Sequence, residues 1–249
     1  MPAWRETQHI LVGGGFREGR VGELTIGRTA VLAKHAGKPI ELSPIRHHPD
    51  AAGLLGSAQL VPDWVLSGFD GILAVDIGGT NIRAGVVELR SGAGSAKIWK
   101  ADRWRHASDE PERDEAVEGL IGMLRRLIHA GETGGVRLAP FIGIACPGII
   151  RFDGRIERGA QNLPGDWESE DFNLTERMVR AIPQIDGKQT AVIMHNDAVV
   201  QGLSEAPFMG NVAKWGILTV GTGLGNAHFT NRQRRTPAAD PALAQPKDQ

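Results

Sequence analysis

A glycine-rich turn between two apolar runs constrains the fold of this chain more than any other stretch. Residues 72–77 (ILAVDI) and 82–89 (IRAGVVEL) are rich in aliphatic and β-branched side chains, and the four residues GGTN (78–81) separate them. Because glycine tolerates the positive φ of tight turns, the pattern predicts two strands joined as a hairpin. Glycine also lets backbone N–H groups approach an anion closely, so this turn is a candidate phosphate cradle.

Asp76 stands at the end of the first predicted strand, beside the turn. A carboxylate in this place can hold a hydrated divalent cation rather than the phosphate itself. A buried hairpin whose acid only caps the turn would explain the same residues, since glycine-rich turns are common between strands. The first hairpin alone therefore leaves both interpretations open.

A second glycine-rich hairpin is predicted near the end of the sequence. The apolar run 215–220 (WGILTV) leads into the turn 221–225 (GTGLG), and residues 226–230 (NAHFT) can return as the partner strand. An acid, Asp197, lies between the two hairpins in the sequence. Two phosphate-sized turns and one carboxylate suit a site that grips a phosphoryl group from two sides while the carboxylate takes a proton from an attacking hydroxyl.

Composition and charge exclude several functional classes. The chain has 28 Lys plus Arg against 29 Asp plus Glu, which leaves no electrostatic footprint for nucleic acid or for an acidic membrane surface. Cys146 is the only cysteine, so an internal disulfide and a Cys-rich zinc site are excluded. No apolar run approaches the roughly 20 residues of a membrane span, and the first residues lack the apolar core of a signal peptide. We expect a cytoplasmic protein.

The remaining elements can be predicted from periodicity and caps. Residues 110–129 show the apolar spacing of an amphipathic helix, and Asn173 precedes a shorter helix with Glu176 at the capping-box position. Residues 190–194 read as a buried strand that ends before Asp197, whose neighbouring helix amides are expected to lower its pKa. His47 and His48 have no carboxylate at metal-ligand spacing in the sequence. The further predictions are strands at 8–12, 39–45, 95–104 and 137–145, a small hairpin at 149–156, and helices at 23–35, 50–60 and 198–205.

Five motifs, in their order and spacing, resemble the ROK (repressor, ORF, kinase) family. They are LAVDIGGTNIRAG (73–85), ACPGII (145–150), QNLPGDW (161–167), HNDAVVQGLSEA (195–206) and LTVGTGLGNAHF (218–229). That family belongs to the sugar-kinase branch of the actin-like ATPase superfamily. The resemblance implies an α/β fold with a ribonuclease-H-like lobe and a mixed sheet. It also implies ATP and Mg²⁺ as cofactors, and transfer of the γ-phosphate to a hydroxyl of a small-molecule sugar.

The opening segment matches the same family, but in a different order. ILVGGGF (10–16) resembles the family's adenosine-contacting strand and turn, and HPDAAGLLGSAQL (48–60) resembles its closing helix. Both lie at the C-terminal end in the family, so the resemblance implies a circular permutation, which is tolerated where termini lie close together. A dinucleotide-binding interpretation of Gly13–Gly19 is disfavoured, because the third glycine is displaced by one position.

The resemblance also implies a role for each matching position. Asp197 would be the catalytic residue that orients and deprotonates the sugar hydroxyl, and Asn162 and Asn196 would hydrogen-bond the sugar. Asp76 would bind the metal ion. Cofactor contacts are implied for Asp76, Gly78, Gly79, Thr80, Gly221, Thr222, Gly223 and Gly225, and for Gly13, Gly14 and Gly15 in the opening loop. Without the resemblance, Asp197 is an ordinary helix N-cap and Asn162 an ordinary turn residue.

The predicted organisation has five regions, and the second lobe is incomplete. Residues 1–60 resemble the family's C-terminal part, 61–70 are a linker, 71–210 form the N-terminal-type lobe, 211–231 begin the second lobe, and 232–249 form a disordered tail. The family's Gly-Glu-x-Gly-His sugar motif and its Cys/His zinc site are absent from the sequence.

Two functions therefore remain open at this stage. One is a glucokinase-like kinase for a hexose or amino sugar, and the other is a degenerate relative that binds sugar or nucleotide without turnover, as a regulator or part of an assembly. An exposed face on the incomplete lobe would favour a homodimer.

Overall fold

The computed structural model describes residues 4–38, 40–89 and 96–231. The strands are β1 (His9–Gly13), β2 (Glu41–Pro44), β3 (Gly71–Ile77), β4 (Ile82–Glu88), β5 (Lys97–Trp104), β6 (Leu138–Cys146), β7 (Ile149–Ile150), β8 (Ile156–Arg158), β9 (Gln184–Ile185), β10 (Lys188–Gln189), β11 (Ala191–Asn196), β12 (Lys214–Val220) and β13 (Leu224–Thr230). The α-helices are α1 (Arg20–His35), α2 (Pro49–Ser57), α3 (Arg113–Thr133), α4 (Leu174–Ala181) and α5 (Asp197–Glu205). Among the described residues, no helix combines the length and the apolar character needed to span a bilayer.

One of the two large sheets has five strands in the order β11-β6-β3-β4-β5. Strands β3, β4 and β5 form an antiparallel meander, and β6 and β11 continue the sheet in parallel. The first predicted hairpin is present, with Ile77 opposite Ile82. A meander followed by parallel strands with intervening helices is the ribonuclease-H-like arrangement, so the predicted α/β fold class is confirmed.

Helices cover both faces of the five-stranded sheet. Side chains of β3 alternate between the two faces, and all of them are apolar except Asp76, so both faces need cover. Leu73 and Val75 face α3, which buries its predicted stripe of Val117, Leu120, Ile121, Leu124 and Leu127. Ile72 and Ala74 face the opposite side, where Leu54 and Leu55 of α2 pack. Helix α2, predicted at residues 50–60, therefore packs in the core on this face of the sheet.

The other large sheet has four strands in the order β13-β12-β1-β2 and combines strands from early and late in the sequence. Strand β1 runs parallel to both β12 and β2, and β12 pairs with β13 as an antiparallel hairpin. Leu11, Trp215 and Ile217 pack beneath it against Ala198 of α5. Strands β1 and β2 from the first 44 residues thus share one sheet with β12 and β13, whereas α2 packs on the other large sheet.

The two sheets match strand for strand over four positions. In both, a central strand (β3 or β12) has an antiparallel hairpin partner (β4 or β13) on one side and a parallel strand (β6 or β1) on the other, followed by a second parallel strand (β11 or β2). Within the described residues, the four-stranded sheet has no counterpart of β5 and none of α3. The four-stranded sheet therefore has fewer described elements than the five-stranded sheet, in agreement with the expected incomplete second lobe.

Several local predictions need correction. Helix α2 spans Pro49–Ser57 rather than 50–60, and its cap is His48, whose Nδ1 accepts the Asp50 N–H at 3.2 Å. Strand β11 lies at a sheet edge and is half exposed rather than buried, with Ile193 at 37% exposure. Glu176 does not close a capping box on the backbone; its Oε1 lies 3.4 Å from the Asn173 side-chain amide. The predicted tail 232–249, Pro39, Ser95 and residues 1–3 lie outside the described residues.

Candidate active-site cleft

Three glycine-rich loops from distant parts of the chain meet in one cleft. The loop after β1 (Gly14–Gly15), the turn after β3 (Gly78–Asn81) and the turn after β12 (Gly221–Gly225) all line a cavity of about 1490 Å³. Each loop follows the carboxyl end of a strand, which is where α/β sheets bind ligands. The cleft lies between the two large sheets, and both contribute to its walls.

All of the predicted site residues line this cleft except Gly13. Gly13 is the last residue of β1 and is buried, and a Cβ there would lie 3.2 Å from Ile45 Cδ1 and 3.3 Å from Gln201 Oε1. The structure therefore gives Gly13 a packing role in the sheet. Gly14 and Gly15 are the members of the triple-glycine loop that face the cleft.

Gly14 joins the first strand of the chain to the end of β12. Its φ is +82°, and a Cβ at this position would lie 2.4 Å from the carbonyl oxygen of Val220. Both the backbone conformation and the space therefore require glycine. This contact brings the opening loop against the start of the Gly221–Gly225 turn.

The other two turns touch each other across the cleft. Thr80 Oγ1 and Thr222 Oγ1 are 3.2 Å apart, so one hydroxyl can donate to the other. Asn162 lies against the same place, because a Cβ at Gly79 would be 3.0 Å from Asn162 Cβ. Hydroxyl, amide and glycine backbone groups thus converge on a small area where an anion could be bound.

Asp197 is the first residue of α5, and the helix cap is its neighbour Asn196. Asp197 Oδ1 accepts the Ala198 N–H at 2.8 Å, and a Cβ at Gly225 would lie 3.6 Å from the same oxygen. Burial raises the pKa of Asp197 by more than its backbone hydrogen bonds lower it. The prediction that this pKa is lowered was wrong. Burial in the cleft destabilises the charged carboxylate by more than the N–H groups at the start of the helix stabilise it. The higher pKa makes Asp197 a better proton acceptor.

Asp76 is 5% exposed at the floor of the cleft. Burial raises its pKa to about 6, the Arg83 guanidinium at 3.5 Å opposes the rise, and the charges of Asp197 and Asp50 add to it. The negative charge of Asp76 is therefore only partly compensated within the protein. A hydrated Mg²⁺ usually needs one or two carboxylates besides phosphate and water, so this under-compensated acid suits the ion.

Asn196 already uses both ends of its side-chain amide. Its Oδ1 accepts the N–H groups of Ala198 at 3.0 Å and Val199 at 3.4 Å, and its Nδ2 donates to the Gly148 carbonyl at 2.8 Å. These bonds fix the start of α5 and hence the position of Asp197. The predicted sugar contact of Asn196 stays a prediction beside this positioning role.

Several cleft residues were not predicted from the sequence. Arg83 forms ion pairs with Asp50 and Asp76. Gln201 lies one helical turn after Asp197 and is 9% exposed; its Oε1 has no hydrogen-bond partner among the described residues. His195 accepts the Asn196 N–H on Nδ1 at 2.8 Å, so its neutral ring carries the proton on Nε2. Two of these residues could have been found from their sequence positions. Arg83 lies inside the first hairpin motif, and Gln201 follows Asp197 by four residues, which places both on the same face of a helix.

A second group of potential metal ligands lies at the cleft mouth. Glu18, His48 and Asp50 bring one ligand atom each within 4.8 Å of one another, so the histidine does have carboxylates nearby, supplied by the fold. These groups are already paired, however. His48 Nδ1 accepts the Asp50 N–H, which places the proton of the neutral ring on Nε2, 3.4 Å from Glu18. Asp50 also pairs with Arg83 and Arg103, so the cluster suits a cation poorly.

The fold and the cleft define a two-sheet α/β protein of the ribonuclease-H-like type, with a cavity of about 1490 Å³ between its sheets. ROK family proteins are among the solved structures similar to it. One is a ROK family glucokinase from Streptomyces griseus in complex with glucose and AMPPNP (23% identity, 66% of this chain, 45% of that chain, TM-score 0.49). Another is a ROK family transcriptional regulator, a homologue of the E. coli MLC protein (16% identity, 65% of this chain, 37% of that chain, TM-score 0.49).

The chain thus spans less than half the length of these two structures. No protein-family model and no curated protein matches the sequence.

Proposed function

We propose that this chain binds ATP and Mg²⁺ and phosphorylates a hydroxyl of a hexose or amino sugar. The observation that carries the proposal is the meeting of three sequence-distant glycine-rich loops around Asp197 in one cleft. Backbone amides of such loops bind phosphates, and a carboxylate beside them can receive a proton. The motif resemblance described above supplies the substrate class.

Each part of the cleft has a separate task in this proposal. The Gly78–Thr80 and Gly221–Gly225 turns hold the phosphates, Gly14 and Gly15 back the adenosine, and Asn162 binds the sugar. Asp76 holds Mg²⁺, which when bound neutralises charge on the phosphates. Gly225 lies next to Asp197, so the phosphate-binding turn and the proton acceptor are in direct proximity.

The transfer step needs a proton acceptor and a well-oriented hydroxyl. Asp197 accepts the hydroxyl proton on a carboxylate oxygen while the hydroxyl oxygen bonds to the γ-phosphorus and ADP leaves with the bridging oxygen. Positioning matters more than basicity in such loose transition states. Asn196 supplies it by holding Asp197 at the start of α5.

The test is ADP release with a panel of hexoses and amino sugars. Asp197→Asn keeps the size of the side chain and removes its basicity, so turnover should fall by about 10² to 10⁴-fold while an ATP analogue still binds. Asp171→Asn, at an exposed position, is the matched control and should leave the rate unchanged. Turnover that survives Asp197→Asn would remove this residue from the proton-acceptor role.

A second function is favoured by one specific observation: among the described residues, the four-stranded sheet has no counterpart of β5 or of α3. In that case the chain binds nucleotide or sugar without turnover, as a regulator or part of an assembly. Calorimetric binding of an ATP analogue, together with no ADP release for any sugar in the panel, would favour this function over the first.

The organisation that accompanies the proposal has two lobes. Residues 71–210 form one, residues 1–60 and 211–231 form the other, and 61–70 link them, with α2 of the second lobe packed on the sheet of the first. We further propose a cytoplasmic protein whose partners are a small sugar and, through its open lobe, a second copy of itself. Neither a nucleic acid nor a membrane has a part in the proposal, since Lys plus Arg and Asp plus Glu nearly balance.

A further inference from the structure

The segment that follows β5 is hydrogen-bonded to the first glycine-rich turn at two points. His106 begins a single 3₁₀ turn, His106–Ser108, and its Nε2 lies 2.8 Å from the Gly78 carbonyl oxygen. The next residue, Ala107, donates its N–H to the Thr80 carbonyl at 3.3 Å. Two adjacent residues therefore fix two carbonyl groups of a turn that lines the main cleft.

The imidazole of His106 is the donor in the first of these bonds. A carbonyl oxygen only accepts hydrogen bonds, so the neutral ring must carry its proton on Nε2. His106 is 2% exposed, and water therefore has little access to the position that the ring occupies. A replacement side chain without a donor at this point would leave the Gly78 carbonyl without that bond.

The ring is in turn anchored to the core of the five-stranded sheet. It lies edge-on to Trp104, with the two ring centroids 6.2 Å apart. Trp104 packs closely on α3, because a Cβ at Gly119 would lie 2.6 Å from Trp104 Cζ3. Its Nε1 also donates to Asp109 Oδ2 at 2.6 Å. An unbroken series of contacts thus leads from α3 through the imidazole to the turn.

The bond to His106 decides which way one peptide group of the turn points. The described residues include no cis peptide bond, and in a trans peptide the C=O and the N–H point in opposite directions. The Gly78 carbonyl points to the imidazole, which lines a smaller cavity of about 280 Å³ at the side of the turn. The Gly79 N–H belongs to the same peptide group, so it points away from the imidazole and toward the main cleft.

The same peptide group lies between two glycines and can rotate with little steric resistance. A reversed peptide would present the Gly78 carbonyl oxygen to the cleft, and this negative end of the dipole would repel a phosphate. The Gly78 N–H is already used inside the turn, since it donates to the Asn81 carbonyl at 2.9 Å. The direction of the Gly79 N–H therefore determines how well the turn attracts an anion.

We infer that His106 is a positioning residue for phosphate binding, because it holds the Gly78–Gly79 peptide with its N–H toward the cleft. It acts through the turn and not by contact with the nucleotide. The inference rests on the proposed phosphate role of this turn, and it adds to that role a side chain from outside the glycine-rich motifs.

A pair of amide variants tests the inference. His106→Gln keeps an N–H donor at about the reach of Nε2, whereas His106→Asn keeps the amide but is one methylene shorter. By calorimetry, a non-hydrolysable ATP analogue should bind about 3- to 10-fold more weakly to the Asn variant and nearly normally to the Gln variant. Adenosine has no phosphate, so it should bind to both variants as it does to the unmodified chain. Equal affinity of the two variants for the analogue, or a loss that extends to adenosine, would overturn the inference.

Nitrogen-15 NMR of the imidazole rings in the unmodified chain gives a decision that does not depend on the folding of any variant. His106 should be the tautomer with its proton on Nε2, and this proton should exchange slowly with water. A neutral ring with its proton on Nδ1 would overturn the inference, since such a ring cannot donate to the Gly78 carbonyl. The Nε2 tautomer in a chain that binds no ATP analogue would support the orientation of the turn and count against the proposed function.

Discussion

The two large sheets have the same strand arrangement over four positions, but only one has a fifth strand, and they contribute different groups to the cleft. The five-stranded sheet and the helix that follows it carry the charged groups: Asp76, Arg83 and Asp197. The four-stranded sheet contributes backbone, through the loops at Gly14–Gly15 and Gly221–Gly225. In the proposed function, proton transfer and metal binding therefore depend on the five-stranded sheet, whereas phosphate binding depends on one turn from each sheet.

Helix packing shows the same contrast. Helix α3 buries eight residues, among them Leu120 and Leu124, against the five-stranded sheet. Helix α1 buries only Gly22 and Ile26. Its Val21, Leu24, Val31 and Leu32 are each more than half exposed. The four-stranded sheet thus has a helix with uncovered apolar side chains, and its stability is expected to depend less on close packing.

The largest expected effect is that of a truncation in the larger core, compared with the same truncation in the smaller core. Leu120→Ala removes a fully buried side chain from the large core, so we expect a loss of about 3 to 5 kcal/mol of unfolding free energy. Leu11→Ala, in the smaller core under the four-stranded sheet, should cost nearer ~2 kcal/mol, because fewer fixed neighbours surround it. Urea unfolding of both variants measures the difference. Equal losses would contradict the contrast between the two sheets.

A somewhat smaller effect concerns the pH dependence at Asp76. Its pKa is raised from 3.8 to about 6 in the folded state, so the folded protein binds more protons than the unfolded chain between these values. Stability therefore falls as the pH rises through this interval, and Asp76 disfavours folding by about 2 to 3 kcal/mol at pH 7. Asp76→Asn should remove this slope. The measurement is urea unfolding of both proteins at pH 4 and pH 7, and a gap between them that stays constant would argue against the raised pKa.

A further effect is expected where α2 crosses α5. A Cβ at Gly56 would lie 1.8 Å from the Val200 carbonyl oxygen, so Gly56→Ala forces the helices apart. We expect a loss of about 1 to 3 kcal/mol. Thermal unfolding followed by circular dichroism gives the change. An unchanged midpoint would mean that the crossing adapts without cost.

The smallest effect is a gain in stability on the exposed helix. Gly27 in α1 has nothing within 4 Å of the position of a Cβ. Gly27→Ala should therefore stabilise the protein by about 0.5 to 1 kcal/mol through helix propensity alone. It is also the matched control for Gly56→Ala, since both replace a helical glycine by alanine. A loss at Gly27 would indicate that a partner already packs on α1.

Local patterns in the sequence predicted the hairpins well, because their determinants are adjacent. Gly78–Gly79 and the apolar residues around them are sufficient to specify a turn between strands. The amphipathic stripe from Val117 to Leu127 likewise predicted α3, with its start three residues early. The parallel pairing of β1 with β12 was expected only from the resemblance to a family, since no local rule connects residues so far apart.

The electrostatics of the cleft could not be predicted from sequence. The ion pair of Arg83 with Asp50 joins residues 33 positions apart, and it forms only because α2 packs on the sheet beside β4. The raised pKa of Asp197 results from burial by the surrounding loops, whereas the sequence shows only the adjacent helix amides. Distance in space and loss of water decide such properties, and neither is encoded in local spacing.

The pairing of β1 with β12 has a consequence for synthesis of the protein. Roughly 200 residues separate the two strands, and ribosomes add about 5 to 20 residues per second. The opening strand would therefore wait on the order of 10 to 40 s for its neighbour, long after the five-stranded sheet can begin to form. During that interval β1 and the apolar side chains of α1 are available to chaperones.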